Sequence, residues 1–544
     1  MQIQVRINEE GALRNQRYAF TDRFTLVTEL LQNARRAGAK RIDITHDATS
    51  QWLRVADDGH GIDDFQKLLT FNESGWDDAT SDQERPFGIG FSKCLYAASR
   101  CIVVSHDQRV DFDNEAALAR APIDVVMRAE ADAVVAGTVV ELHGVALPDL
   151  ADRIESLCQG FPITVVFNGK TLGRRHAEAN LATMPTAVGS VHLAGTCNGK
   201  HSSSTLVFVQ GFAVMKPIYF QDDQVNVVHL DSRQFTARLP DRDKLIDEDV
   251  QRKRIDSELK ACWHRILEVA KTQLPAERFV ETYYSAMRGW GHLDLLNDLD
   301  DLPGELCDVI VGYPIVEDSS TLDYMQPAAV TPTRAHIESG ATTLVALDGV
   351  SDDNAARWML ARAKGHVVFD RIGLHADHWA QRHVRFLEEE AVQVEIVSEQ
   401  HRTELEGRWI WPTAILCEAV RIRVGDDSAE VTDAGVYHDG CLYIPAGETS
   451  GEPVRQASSF TDENDQFLES DLDADREALA DLICRLRSVD PVQTLNSLLQ
   501  GLKLGKYPLL HGKRFHLTVG VGSVPGHAVA LVEVTEPERN HAEP

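Results

Sequence analysis

The chain has 544 residues, 43% of them apolar, and a formal net charge of −30. That length predicts two to four domains with sizeable cores, and the acidic balance argues against a chain that coats nucleic acid broadly, since phosphate binding needs clustered Lys and Arg. The absence of any apolar run of about 18 residues argues against a membrane-spanning helix, and nine scattered cysteines without a C-x-x-C pair read as reduced thiols of a cytoplasmic protein, not as a zinc site.

The first residues, Met1 to Arg6, alternate like a strand and lack the apolar core of a signal peptide. Phe24, Val27, Leu30, Leu31 and Ala34 then recur at helical spacing, which predicts a helix over roughly residues 24–37, with Gly38 as its stop. Glu29 and Asn33 stand four apart on this helix, so their side chains project from one face. A carboxylate beside a carboxamide oxygen suits a general base next to a ligand for a hard cation such as Mg²⁺. Taken alone, such a pair also fits an ordinary solvated helix face.

Two alternating segments around Ile42–Ile44 and Leu53–Val55 predict strands, and the second leads into Asp57-Asp58-Gly59-His60-Gly61-Ile62. A glycine turn after a buried strand lets the backbone approach a ligand closely, and a carboxylate at the strand end can accept a hydrogen bond from an exocyclic amine such as that of adenine. An acidic surface turn is the other reading. The run Phe87-Gly88-Ile89-Gly90-Phe91-Ser92-Lys93 precedes a helix-compatible stretch that ends near Ala98. Glycines at that position leave N–H groups free beside the positive end of a helix dipole, where an anion is favoured. The chain has no G-x-x-x-x-G-K-[ST] loop, and Lys93 stands where the third glycine of a dinucleotide fingerprint belongs.

In order and spacing these motifs resemble the GHKL superfamily of ATPases: gyrase B subunits, the ninety-kilodalton heat-shock chaperones, histidine kinases and mismatch-repair ATPases. The N box resembles Glu29-Leu-Leu-Gln-Asn33-Ala34, and the first glycine box Asp57-x-Gly59-x-Gly61. The second glycine box resembles Gly88-Ile89-Gly90-Phe91, closest in wording to the chaperone and mismatch-repair groups. Ala136 to Leu142 resembles the Gly-Thr strand that closes the adenine pocket. The resemblance implies an α+β Bergerat-type sandwich, with helices on one face of a mixed sheet. It also implies ATP and Mg²⁺ as ligands, with Glu29 polarising the attacking water and Asn33 holding the metal. Asp57 would bind the adenine amine, directly and through a water shared with Thr138. Gly59 and Gly61 would shape the base pocket with Ile62 beside them, and the N–H groups from Gly88 through Ile89 and Gly90 to Phe91, with Lys93 one turn on, would hold the phosphates. Residues 70–87 would form the mobile lid.

Two positions depart from the family pattern: Arg85 replaces a glycine three residues before Gly88, and Arg36 stands where an aspartate is common in the chaperone and mismatch-repair groups. Glu29 favours hydrolysis over a histidine-kinase reaction, which would need a phosphoacceptor histidine upstream of residue 24.

The first domain is expected to end near residue 150 and a transducer-like α/β domain to cover 151–290, with strands at Ile163–Phe167, Leu206–Gln210 and Val225–Leu230 and a helix from Asp247 to Leu274. Lys216, Arg242 and Lys244 are candidates for a basic side chain that reaches the γ-phosphate. Residues 291–303 read as a connector. Residues 304–544 read as a C-terminal α/β region with helices near Asp353–Ala363 and His378–Glu390. His375, His378 and His383 fit no metal-ligand face. Arg174-Arg175, Arg252-Lys253-Arg254 and Lys503 to Arg514 are local basic exceptions, each of which can also be a solvated face. The combined expectation is a nucleotide-gated conformational clamp of chaperone or assembly type that dimerises on ATP and acts on a protein client or partner subunit, without a membrane. A DNA-processing accessory ATPase of mismatch-repair or topoisomerase type, and a nucleotide-sensing scaffold with little turnover, are the alternatives.

Overall fold

A computed structural model describes residues 3–4, 8–16, 23–71, 76, 90–128, 135–238, 243–314, 324–347, 349, 351, 354–408, 410–447, 469–488, 490–500, 502–520 and 529–533. The chain divides into two compact units, Met1–Asn297 and Asp298–Pro544.

In the first unit, alternation fixes one apolar face of a sheet. Ile42 and Ile44 of β1 (Arg41–Asp47), Leu53 and Val55 of β2 (Trp52–Asp57), Cys101 and Val103 of β3 (Arg100–His106), and Val110 and Phe112 of β4 (Gln108–Asp113) are all buried. With β5 (Val126–Met127), β6 (Val135–His143), β7 (Thr164–Phe167) and β8 (Lys170–Thr171) these strands form an eight-stranded sheet in the order β5-β4-β3-β6-β2-β1-β7-β8. The β1–β7 pair is parallel and the others antiparallel, so the sheet is mixed. Arg54–Glu141 and Arg100–Asp111 pairs, at 3.4 and 2.7 Å, lie on the outward face.

Helices cover the inward face. Thr25–Arg36 contributes Leu26, Val27, Leu30, Leu31 and Ala34, Ser92–Ala97 contributes Cys94 and Leu95, and Leu150–Leu157 contributes Leu150 and Ile154. The first of these matches the predicted helix, and Gly38, at φ 73°, supplies the left-handed turn that ends it. The sheet runs past residue 150. Ile163–Phe167, expected in the second domain, supplies β7, because Val165 enters the same core and the strand pairs with β1 from Arg41↔Thr164 to Ile44↔Phe167.

The second sheet of this unit contains β9 (Met184–Thr186), β10 (Gly189–His192), β11 (Thr205–Val209), β12 (Phe212–Met215) and β13 (Asn226–Leu230), in the order β12-β11-β13-β10-β9. Helices Glu248–Gln273 and Ala276–Trp290 follow it, separated at Pro275, because a proline disfavours helical geometry in the residue before it. The β11–β12 hairpin reaches the first core: the Phe212 ring lies 5.2 Å from Phe161. Its turn residue Gly211 sits at φ 85°, and a Cβ there would come 2.7 Å from Pro162 Cδ, so only glycine fits.

In the second unit, β14 (Cys307–Ile310), β15 (Met325–Pro327), β16 (Leu344–Ala346), β17 (Val367–Phe369) and β18 (Val384–Phe386) form a sheet in the order β15-β14-β17-β16-β18. Strands β19 (Val392–Glu404), β20 (Thr413–Val424), β21 (Asp427–Val431), β22 (Val436–His438) and β23 (Cys441–Ile444) form another. Helix Ala355–Lys364 joins Trp358 and Met359 to Leu416, Val420 and Leu442, and helix Glu469–Arg487 adds Leu479 and Ile483 to the same core. The helix expected over His378–Glu390 is instead two short 3₁₀ turns flanking β18. Arg385 there pairs with Val345 of β16 and is held by Glu390 and Asp427, which fixes an extended backbone. A hairpin of β24 (Phe515–Val519) and β25 (Val529–Glu533) ends the described chain. No described helix is long and apolar enough to cross a membrane.

Leu31 is fully buried between helix and sheet. Leu31→Ala is expected to cost about 2–5 kcal/mol of stability, measured as a lowered urea midpoint of the first unit.

Candidate active site

The site is built where β2 ends beneath β6. Asp57 closes β2, and its Oδ1 accepts the Gly59 N–H at 2.9 Å. The backbone N–H of Thr138 donates to the same carboxylate. Burial pushes the Asp57 carboxyl above its ordinary value, and the two N–H donors oppose that shift. Gly137 lies so close that a Cβ on it would collide with the Asp57 carbonyl. The next residue, Asp58, faces the other way: its Oδ1 accepts N–H bonds from Lys40 at 2.7 Å and Arg41 at 2.9 Å. The Arg41 N–H, ahead of the other donors, holds that carboxyl below its usual range.

The turn is anchored at three further points. The His60 N–H donates to Ala37 O at 2.9 Å, and a Cβ on Gly59 would meet Ala37 Cβ at 2.7 Å. Gly61 adopts φ 83° against Ser105 and His106. Ser105, fully buried, accepts the Ile62 N–H at 2.8 Å and donates to Gly137 O at 3.0 Å, so one hydroxyl joins the glycine turn to β6. Ser105 is legible only as a polar residue at an inward position of the otherwise apolar strand β3.

The helix Thr25–Arg36 carries Glu29, the second expected site residue. Glu29 is only 4% exposed, and Lys93, also 4% exposed, places its Nζ 3.5 Å from Glu29 Oε1. Gly90 sits directly against this carboxylate, where any Cβ would collide with Glu29 Oε2. The same carboxylate, after burial, helps push the neighbouring Cys94 thiol up to about 12. Asn33 is half-buried, and its Oδ1 lies 3.4 Å from Arg36 Nη1, so the arginine that departs from the family pattern touches the expected metal ligand. Phe91 is buried at the start of helix Ser92–Ala97. One residue before Asn33, the fully buried Gln32 donates through Nε2 to Oε1 of Gln210 at the tip of the β11–β12 hairpin.

Gly88, Ile89, Arg85, Arg242 and most of the expected lid lie outside the described residues; Trp76 is described, with its ring edge-on to His60 at 6.0 Å. Of the basic candidates in the second sheet region, Lys216 reaches Ser156 Oγ at 3.5 Å, and the Lys244 carbonyl accepts the Arg238 N–H at 2.7 Å. His378 accepts the Ala380 N–H at 3.1 Å and His383 the Arg382 Nε–H at 3.1 Å. Among the described residues no group of three or more His, Cys, Asp or Glu is placed to hold a metal ion.

Comparison with known proteins places a family match over the residues that hold these groups. Residues 21–130 match the family model described as histidine kinase-, DNA gyrase B-, and HSP90-like ATPase. Among solved structures, the ATPase region of Saccharomyces cerevisiae topoisomerase II is 16% identical over 35% of this chain and 61% of that one, with a TM-score of 0.27. The chain thus spans about three fifths of the length of that structure. The N-terminal domain of a DNA repair protein is 15% identical over 46% of this chain and 95% of that one, with a TM-score of 0.30. No curated protein matches the chain significantly. With the N box, the first glycine box and the helix-covered mixed sheet, the family match marks residues 21–130 as a domain of the GHKL ATPase type.

Proposed function

We propose that the chain binds ATP with Mg²⁺ at this site, hydrolyses it, and uses the nucleotide as a conformational clamp. The observation that carries the reading is the buried Lys93–Glu29 contact packed against Gly90. A buried ion pair of this kind is weak evidence for stability, and titratable groups held out of water cluster at functional sites. A triphosphate supplies a partner: its charge draws the Lys93 ammonium and frees Glu29. Asp57, whose carboxylate is buried yet oriented by the N–H groups of Gly59 and Thr138, keeps acceptor capacity for the adenine amine.

In the chemical step a water attacks the γ-phosphorus, ADP leaves, and Glu29 takes the water's proton as general base. Asn33 is the residue that would hold Mg²⁺, its oxygen drawn from the long contact with Arg36; the cation, when bound, neutralises phosphate charge. The clamp works by differential affinity of ATP for two conformations, and the Gln32–Gln210 contact gives the second sheet a direct hold on the helix that carries Glu29. A second copy of the chain and a protein client are the partners this cycle would serve.

Glu29→Ala is expected to lower turnover by roughly 10²–10⁴-fold with ATP affinity near normal; a variant that hydrolyses ATP at the wild-type rate removes Glu29 from the mechanism. Asp57→Asn should abolish ATP binding, measured by calorimetry, and unchanged affinity rejects the adenine assignment.

The same variant carries a pH signature. A carboxyl whose folded-state value is raised stabilises the fold below its unfolded value of about 3.9, and loses that contribution as pH rises through the folded value. Without nucleotide, the melting temperature of Asp57→Asn relative to wild type should therefore increase between about pH 4 and pH 7. A flat difference would place Asp57 in water.

A further inference from the structure

Residues 491–532 contain no Asp or Glu, in a chain with 84 of them, yet they hold Lys503, Lys506, Lys513 and Arg514. Just upstream, the first half of helix Glu469–Arg487 carries Glu469, Asp471, Asp473, Asp475 and Glu477 against Arg476 alone, before Asp481, Arg485 and Arg487. A solvated face normally mixes charges of both signs; here they are sorted along the chain.

The backbone of the cationic stretch is satisfied locally. The Tyr507 N–H donates to Leu504 O and the Leu510 N–H to Tyr507 O, both at 3.0 Å, while His511 Nε2 lies 2.9 Å from Gly505 O and closes the loop. Tyr507 is 57% and Phe515 44% exposed, and all four cationic residues are exposed as well. Tyr507 lies between two 3₁₀ turns and Phe515 opens the two-stranded hairpin that follows, of a kind that is marginal alone; two such rings turned to solvent beside clustered cations mark a surface that meets a partner. Cations that track a phosphate backbone, interleaved with rings on which bases stack, is the chemistry of single-stranded nucleic-acid binding.

We infer that residues 503–516 bind single-stranded nucleic acid, with Lys503, Lys506, Lys513 and Arg514 on the phosphates and Tyr507 and Phe515 as stacking platforms. The inference does not rest on the nucleotide site: the assay contains no ATP, and Glu29→Ala should bind as wild type does.

The test uses the full chain and a fluorescein-labelled oligothymidylate of about 30 nucleotides, with fluorescence anisotropy read across a salt series. Four phosphate contacts predict a slope of log affinity against log salt near −3, at about 0.7 per contact. Reversing Lys503, Lys506, Lys513 and Arg514 to Glu should weaken binding by about 10-fold or more and flatten that slope. Tyr507→Ala with Phe515→Ala should weaken it by about 30-fold or more at an unchanged slope. Because these side chains are exposed, the variants should keep the wild-type circular dichroism. The inference is overturned by no binding at about 50 mM salt, by wild-type affinity in the charge-reversed chain, or by phosphatidylserine vesicles being bound in preference to the oligonucleotide.

Discussion

The site depends on how closely β6 approaches the end of β2. At Gly137 the two backbones leave no room for a side chain, since a Cβ there would enter the Asp57 carbonyl. That closeness lets the Thr138 N–H reach the Asp57 carboxylate and lets Ser105 span from the glycine turn to β6 with one hydroxyl. The Asp57 carboxylate is thereby fixed in orientation, and under the proposed function a preformed acceptor would cost little ordering at the moment of binding.

The charged half of the site follows a different logic. A buried lysine beside a buried glutamate is weak evidence for stability, because taking both charges out of water costs about as much as their attraction returns. Under the proposed function it supplies a resting arrangement with a definite alternative, in which an entering phosphate would offer the ammonium a second anion. Gly90 makes the arrangement compact by letting the glycine turn lie against the carboxylate. The acidic partner is set by helix Thr25–Arg36 and the basic one by helix Ser92–Ala97, so the separation of the charges is tied to the packing of two helices on one sheet.

Periodicity made the helix around Glu29 and the strands of the first sheet legible, because burial on one face leaves a regular trace in residue type. The glycines were legible as well, since Gly59, Gly61 and Gly90 each occupy places where a Cβ collides. The pairing of Lys93 with Glu29 was not, as it joins residues 64 positions apart and no local pattern encodes it. Ile163–Phe167 is legible as a strand of residues 151–290, but its pairing into the first sheet is not, because its parallel partner β1 lies far away in sequence. His378–Glu390 looked helical from its composition, yet cross-strand pairing of Arg385 and its carboxylate partners decided the backbone. Tertiary contacts override propensity in such segments.

The hairpin tip at Gln210-Gly211 has a bearing on how this chain can vary over generations. Surface loops usually absorb extra residues at small entropic cost, but here the tip is fitted on two sides: Gly211 is wedged against Phe161 and Pro162, and Gln210 meets a fully buried amide. Inserting or deleting even one residue would carry the amide away from Gln32 and leave a polar group stranded in an apolar interior. Descendants of this sequence should therefore keep the length of that turn constant while connections elsewhere drift.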